Sequence, residues 1–158
     1  MESKEVGNNP VVEKLRAWDA GAVAEVIEFR GETTVVVRQE NLLRTSLYLA
    51  TEPSLHFSFL SDITTVDRSP MEPRFEVNYH MLAIERKERL RLKVRLAGND
   101  AVLPSVTAVW PTANWHEREA FDLFGLRFEG HPDLTRILMP DEWEGYPLRK
   151  DYPTEGYR

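Results

Sequence analysis

Arg89-Leu90-Arg91-Leu92-Lys93-Val94-Arg95-Leu96 alternates strictly between a cation and an aliphatic side chain. Successive side chains of a β-strand point to opposite faces. Leu90, Leu92, Val94 and Leu96 therefore share one face, and Arg89, Arg91, Lys93 and Arg95 the other. A strand of this kind belongs to a sheet with one side on a core and one side open. The cationic face has two readings. It is a dock for an acidic partner or a phosphate backbone, or it is a solvated face interleaved with acids from neighbouring strands. The second is expected, because charged side chains commonly line exposed sheet faces.

Upstream, Phe75, Val77, Tyr79 and Met81 repeat the alternation and predict a strand over residues 75–85. The loop before it is Arg68-Ser69-Pro70-Met71-Glu72-Pro73. Residues 55–66 are expected to be extended, with Leu55, Phe57 and Phe59 on one face and His56, Ser58 and Leu60 on the other. Leu42, Leu43, Leu47 and Leu49 predict a helix over residues 40–50, ended by Pro53. Residues 22–29 and 33–38 form a predicted hairpin around Arg30-Gly31-Glu32, with Val23, Ile27 and Phe29 on one side. A first helix starts at an Asn9 cap with Pro10 in its first position, carries Val11, Leu15 and Trp18 on one face, and closes at Gly21. Downstream, Gly98-Asn99-Asp100 is turn chemistry. This order predicts an α+β fold, a two-layer domain with helices packed on a mixed or antiparallel sheet. The domain spans residues 1–138, with a flexible start over 1–9. Residues 139–158 have too little periodicity for a core of their own and are expected to be an extended C-terminal tail docking on a partner subunit.

The chain has 158 residues, enough for one domain that buries roughly two thirds of its extended surface. Its formal charge of −6 argues against binding nucleic acid through phosphate contacts. With no cysteine, it has no disulfide, no thiolate nucleophile and no thiolate ligand for zinc or an iron–sulfur cluster. No apolar run approaches the roughly 20 residues that span a bilayer. Met1-Glu2-Ser3-Lys4-Glu5 lacks the pattern of a secretory signal.

Residues 110–152 hold three of the four tryptophans, with charges and aromatics interleaved. Ala113, Glu117, Ala120, Phe121 and Phe124 fall on one helical face, Thr112 is the expected N-cap and Gly125 the expected left-handed stop. A short strand over 126–130 and a His131-Pro132-Asp133 turn follow. Arg118 and Asp122, at i and i+4, are spaced to pair along the helix. An exposed pair of that kind is worth only about 0.3–0.5 kcal/mol, so stability alone does not explain so much charge. His116-Glu117 lacks the second histidine of a zinc-protease helix, since position 120 is Ala. The histidines at 56, 80, 116 and 131 are scattered, so no metal site is expected. Glu117, Glu119 and Asp122 have the chemistry of a general acid and base. No phosphate loop or nucleophile elbow accompanies them, and an interface network with Arg118, Arg127, Arg136 and Arg149 is the preferred reading.

Three motifs carry a family resemblance. They are Glu117-Arg118-Glu119-Ala120-Phe121-Asp122-Leu123-Phe124-Gly125, then Phe128-Glu129-Gly130-His131-Pro132-Asp133-Leu134, then Pro147-Leu148-Arg149-Lys150-Asp151-Tyr152. Long, ordered and correctly spaced, they resemble the signature of the C-designated component of NADH-quinone oxidoreductase, a peripheral-arm subunit of respiratory complex I. Asp62-Ile63-Thr64 and Pro104-Ser105-Val106-Thr107 resemble further patches of that family. The resemblance runs from about residue 22 onward. One departure is Thr135, where the family usually has a second arginine beside Arg136.

The resemblance implies a non-catalytic structural subunit in the hydrophilic arm of a proton-translocating complex. That complex passes electrons from NADH through FMN and iron–sulfur clusters to quinone. It implies no flavin, cluster, quinone or metal in this chain. The implied partners are other subunits of complex I, chiefly the D-designated one and those that bear the clusters. The chain would meet the membrane only through the complex, on the cytoplasmic side of the bacterial inner membrane. Its end at Arg158 is taken to mean that the D-designated partner is not fused behind it. The expected contact set is Trp115, Glu117, Arg118, Glu119, Asp122, His131, Arg136, Arg149 and Asp151. The equivalent subunit of a membrane-bound hydrogenase or ferredoxin-fed complex is an alternative. A free-standing enzyme with Glu119 and Asp122 in a pocket is a third.

Overall fold

In the computed structural model, which describes residues 9–98 and 101–156, the alternating run forms strand β5 (Glu88–Leu96) at the centre of a five-stranded sheet. Strand β4 (Phe75–Ala83) lies antiparallel on one side of it and β2 (Glu32–Val36) parallel on the other. Strands β1 (Glu25–Phe29) and β3 (Phe59–Asp67) form the edges, so the spatial order is β1-β2-β5-β4-β3 and the sheet is mixed. The expected α+β fold is present. Residues 1–8 of the expected flexible start, and Asn99 and Asp100 of the expected turn, lie outside the described residues.

Helices α1 (Pro10–Trp18), α2 (Leu42–Thr51) and α3 (Ala113–Phe124) pack with the sheet's apolar face. Val11, Val12 and Leu15 of α1 join Leu42 and Leu49 of α2, Phe75, Val77, Tyr79 and Met81 of β4, and Leu90, Leu92, Val94 and Leu96 of β5 in one buried cluster. The Asn9 side chain caps α1 by accepting from the Val11 N–H at 2.9 Å. A tight turn at Gln39–Asn41 leads into α2.

Several local expectations are corrected. Helix α1 ends at an extended Asp19, before Gly21. The β1 side chain that reaches the core is Val26, while Phe29 is 63% exposed, because β1 is an edge strand. Residues 55–58 are not part of β3. Leu55 and Phe57 are buried there in an irregular link, with His56 held at a positive φ of 45°. A bulge between Leu60 and Asp62 then lets Leu60 and Ile63 both face the core, which plain alternation forbids. The short strand after α3 is β7 (Arg127–Glu129), and its parallel partner β6 (Val102–Pro104) was not anticipated. Three residues carry too little periodicity to announce a strand.

The open face of the sheet is interleaved with acids. Arg91 meets Glu32 at 2.7 Å, Lys93 meets Glu76 at 3.0 Å, and Arg95 meets Glu25 at 2.6 Å and Glu76 at 3.4 Å. Arg68 adds a contact to Glu76 at 3.2 Å. Burial pushes the Glu76 carboxyl up, but the hydrogen bond from Lys93 and the surrounding cations outweigh it and leave the group below its ordinary range.

Candidate functional site

Helix α3 sorts its charges to opposite sides. Thr112, with helical φ −63° and ψ −22°, makes no side-chain cap, so that expectation fails. The Ala113 N–H bonds instead to the Trp110 carbonyl in a turn that leads into the helix. Gly125 ends it at φ +74°, as its position after Phe124 predicts. The same glycine admits a close neighbour: a Cβ there would lie 2.6 Å from Tyr146 Cε2 and 2.7 Å from an Arg149 guanidinium nitrogen.

Glu117 points inward and is completely buried. Its Oε1 accepts from the Val106 N–H and its Oε2 from the Ser105 hydroxyl, both at 2.7 Å. Glu117 thus ties the loop after β6 to α3. Desolvation dominates and pushes its carboxyl up to about 7, against the two hydrogen bonds, which pull it down. Tyr79 is also fully buried, and burial, with the nearby Glu117 charge, raises its phenol well above the ordinary value.

Asp122 is equally buried but answered by positive groups. Its Oδ2 accepts the backbone N–H groups of Ile137, Leu138 and Met139 at 3.0, 2.7 and 2.9 Å, and its Oδ1 takes Arg136 Nη1 at 2.7 Å. Burial pushes this carboxyl up, but the Met139 amide, the Arg136 guanidinium and the Leu138 and Ile137 amides together hold it below the usual range. Arg136 also donates to the carbonyls of Asp122, Trp143 and Gly145. Arg118 does not pair with Asp122. It donates to the carbonyls of Thr135 and Arg136 and lies 5.4 Å from the Trp115 ring centroid. The i, i+4 spacing permitted the pair, but the returning chain brought better-placed partners to both residues.

His131 is pinned by its turn. Nε2–H donates to the Asn114 carbonyl at 3.1 Å and Nδ1 accepts the Asp133 N–H at 3.0 Å, which assigns the tautomer. The described tail runs back over its own domain. Leu148 N–H bonds the Leu123 carbonyl, Arg149 Nε the Phe124 carbonyl at 2.5 Å, and Lys150 N–H Asp67 Oδ2 at 2.8 Å. Asp151 meets Arg74 at 3.1 Å, and Arg74 is itself buried with two hydrogen bonds to Asp67. Burial pushes Asp67 up, yet its bonds from Arg74 and from the Lys150 and Ser69 amides leave it far below the carboxylate range.

The sequence-based contact set therefore divides. Glu117 and Asp122 are internal anchors. Arg118, His131, Arg136 and Arg149 are half-buried and fasten the segment after α3. Trp115 and Glu119 face outward, and Asp151 sits apart at the β3–β4 end. The Arg74–Asp67 pair was missed, since one arginine after Pro73 gives no pattern. Trp115 (60% exposed), Leu138 (63%), Trp143 (40%) and Leu148 (54%) leave large apolar side chains at the surface of α3 and the segments bound to it. Among the described residues no three acids or histidines converge as metal ligands, and no helix is long and apolar enough to cross a membrane.

A family model described as respiratory-chain NADH dehydrogenase, 30 Kd subunit, matches residues 35–158. The C-designated component of NADH-quinone oxidoreductase from Citrifermentans bemidjiense is 47% identical over 149 residues, covering 94% of this chain and 91% of that protein. The component of the same designation from Geotalea uraniireducens is 48% identical, covering 94% and 90%. A solved structure described as Nqo5, a trypsin-resistant fragment (1-134), superposes with a TM-score of 0.65 at 32% identity, covering 79% of this chain and 97% of the fragment.

Proposed function

The chain belongs to the family of the 30 kDa subunit of respiratory-chain NADH dehydrogenase, and from that membership we propose that it is the C-designated component of a proton-translocating NADH-quinone oxidoreductase. In this reading it is a structural part of the hydrophilic arm and holds no flavin, iron–sulfur cluster or quinone. Electrons travel from NADH through FMN and clusters to quinone in neighbouring subunits. The chain braces those neighbours, the D-designated one chiefly, from the cytoplasmic side of the inner membrane.

One observation supports a bracing role over chemistry. Both buried carboxylates of α3 are bonded inside the chain, and Asp122 in particular spends its acceptors on holding residues 136–139. Among the side chains that this support leaves at the surface are four large apolar ones, Trp115, Leu138, Trp143 and Leu148. Aromatic and aliphatic side chains on a rigid support are the usual anchors of a protein interface.

The experiment is affinity purification of the tagged chain from gently solubilised membranes, with partner masses and a visible spectrum. A large assembly with flavin and iron–sulfur absorbance and NADH–quinone activity is expected. Trp115→Ala should leave the isolated chain's unfolding unchanged and reduce its recovery in that assembly. A colourless monomer with turnover of its own would overturn the assignment.

A further inference from the structure

On the open face of the sheet, a groove of about 580 Å³ runs past the start of β5, between the β1–β2 turn and β3. Its floor is a closed hydrogen-bonded chain. Asp62 Oδ1 lies 2.5 Å from His80 Nδ1, His80 Nε2 accepts from Arg91 Nε at 2.8 Å, and Arg91 continues to Glu32 at 2.7 Å. Both ring nitrogens of His80 are occupied, as is the Arg91 fork, which also reaches Thr34. The floor therefore has no free cation to offer.

The wall does. Arg89 and Lys87 line the same groove, and among the described residues neither makes an ion pair. The other cations of this face find acids on their own or a neighbouring row. Glu76 stands opposite Arg95 and also reaches Lys93, whose own row, Thr64–Asn78–Lys93, has no acid, while Arg91, opposite His80 and Thr34, reaches Glu32 from β2. The row that holds Arg89 reads Phe59–Leu82–Arg89 and has no acid. Glu32, the nearest candidate from β2, is already committed to Arg91. Arg89 is not an edge charge that keeps other strands away, because β5 is the central strand. Lys87, moreover, is held at a positive φ of 54° in the β4–β5 turn, a conformation that non-glycine residues adopt rarely and often at functional positions.

We propose that this groove docks a segment of a neighbouring protein of the complex that carries an aspartate or glutamate next to an apolar side chain. Its carboxylate completes the acid-free row by pairing with the Arg89 fork, beside Lys87, and its apolar neighbour covers Phe59, which is 45% exposed. The surface lies on the sheet, away from the α3 side chains of the interface proposed above, so the chain would be held on two sides. The inference rests on the assignment to a multi-subunit complex.

The native chain has no cysteine, so Ser61→Cys places a single thiol on the groove lining without touching either cation. Its maleimide labelling should be about tenfold slower in the purified assembly than in the free chain. Zero-length carbodiimide treatment of the assembly should join the Lys87 amine to an acidic peptide of another protein of the complex. Arg89→Glu in the same background should restore labelling in the assembly and remove the adduct, while Arg89→Lys should retain both signals. Equal labelling of free and assembled chains, or a Lys87 adduct only to a second copy of this chain, would overturn the inference and leave the family-based function standing. Failure of the chain to co-purify with any complex would overturn both.

Discussion

Arg136 Nη1 sits 2.7 Å from Asp122 Oδ1, and the pair closes the chain after β7 back onto the last turns of α3. Asp122 is completely shielded and the Arg136 side chain only 12% exposed, so neither charge can fall back on water. Asp122→Ala would leave the guanidinium half-buried without its acid and three backbone N–H groups without an acceptor. The expected loss is roughly 3–5 kcal/mol, as for other broken buried pairs. Urea unfolding of the isolated chain measures it, and a loss below about 1 kcal/mol would show that solvent reaches the site.

Glu117 predicts a pH dependence of the opposite sign to most carboxylates. Its folded pKa is raised from 4.5 to about 7, so between those values the folded chain holds a proton that the unfolded chain has released. Stability should therefore fall as pH rises from about 4.5 to 7, by about 3 kcal/mol from this group, and then level off. Glu117→Gln keeps the shape and should flatten the slope in that window. An unchanged slope would assign it to other groups.

Asp67, Asp122 and Asp151 act in the lower range. Their folded pKa values are depressed, so the stability they contribute is present above the ordinary aspartate value and lost as pH falls below it. Acid unfolding should begin below about pH 4. Arg74→Met should shift that onset upward by removing the partner of Asp67 and Asp151, an outcome read from circular dichroism across pH.

Arg74 and Asp151 should also differ in weight. Arg74 is buried against Asp67, and Arg74→Met should cost roughly 3–5 kcal/mol. The Asp151 side chain is 58% exposed, and Asp151→Asn should cost no more than about 1 kcal/mol. Equal costs would mean that the tail contact, not the internal pair, holds this corner.

Gly125→Ala combines a left-handed backbone, worth about 1–2 kcal/mol, with a methyl group placed against the Tyr146 ring. The tail should lift before the domain unfolds. Limited proteolysis should then cut within residues 139–156 while near-ultraviolet spectra of the domain persist, whereas simultaneous loss of both would make the tail part of the cooperative core.

The strand alternation of β4 and β5, the three helices and the glycine stop of α3 were all legible in the sequence, because each is a local periodicity or a local backbone preference. The long motifs after residue 110 also carried the family, since ordered spacing survives without any knowledge of contacts. Tertiary structure alone decided which charges of α3 are inside. Glu117 shares a helical face with Ala113, Ala120 and Phe124, but Asp122, five positions on, lies off that face, and nothing in the local sequence says that either carboxylate finds its partners inside. Those partners come from chain that returns from far away: Ser105 and Val106 to one, residues 136–139 to the other. For the same reason Arg118 and Asp122, spaced to pair, instead take partners from the segment after β7, and Arg74 finds Asp151 across 77 positions of sequence. Helical spacing sets which side chains can meet on one element. Burial and hydrogen-bond satisfaction set which ones do, and both depend on where the rest of the chain is laid down.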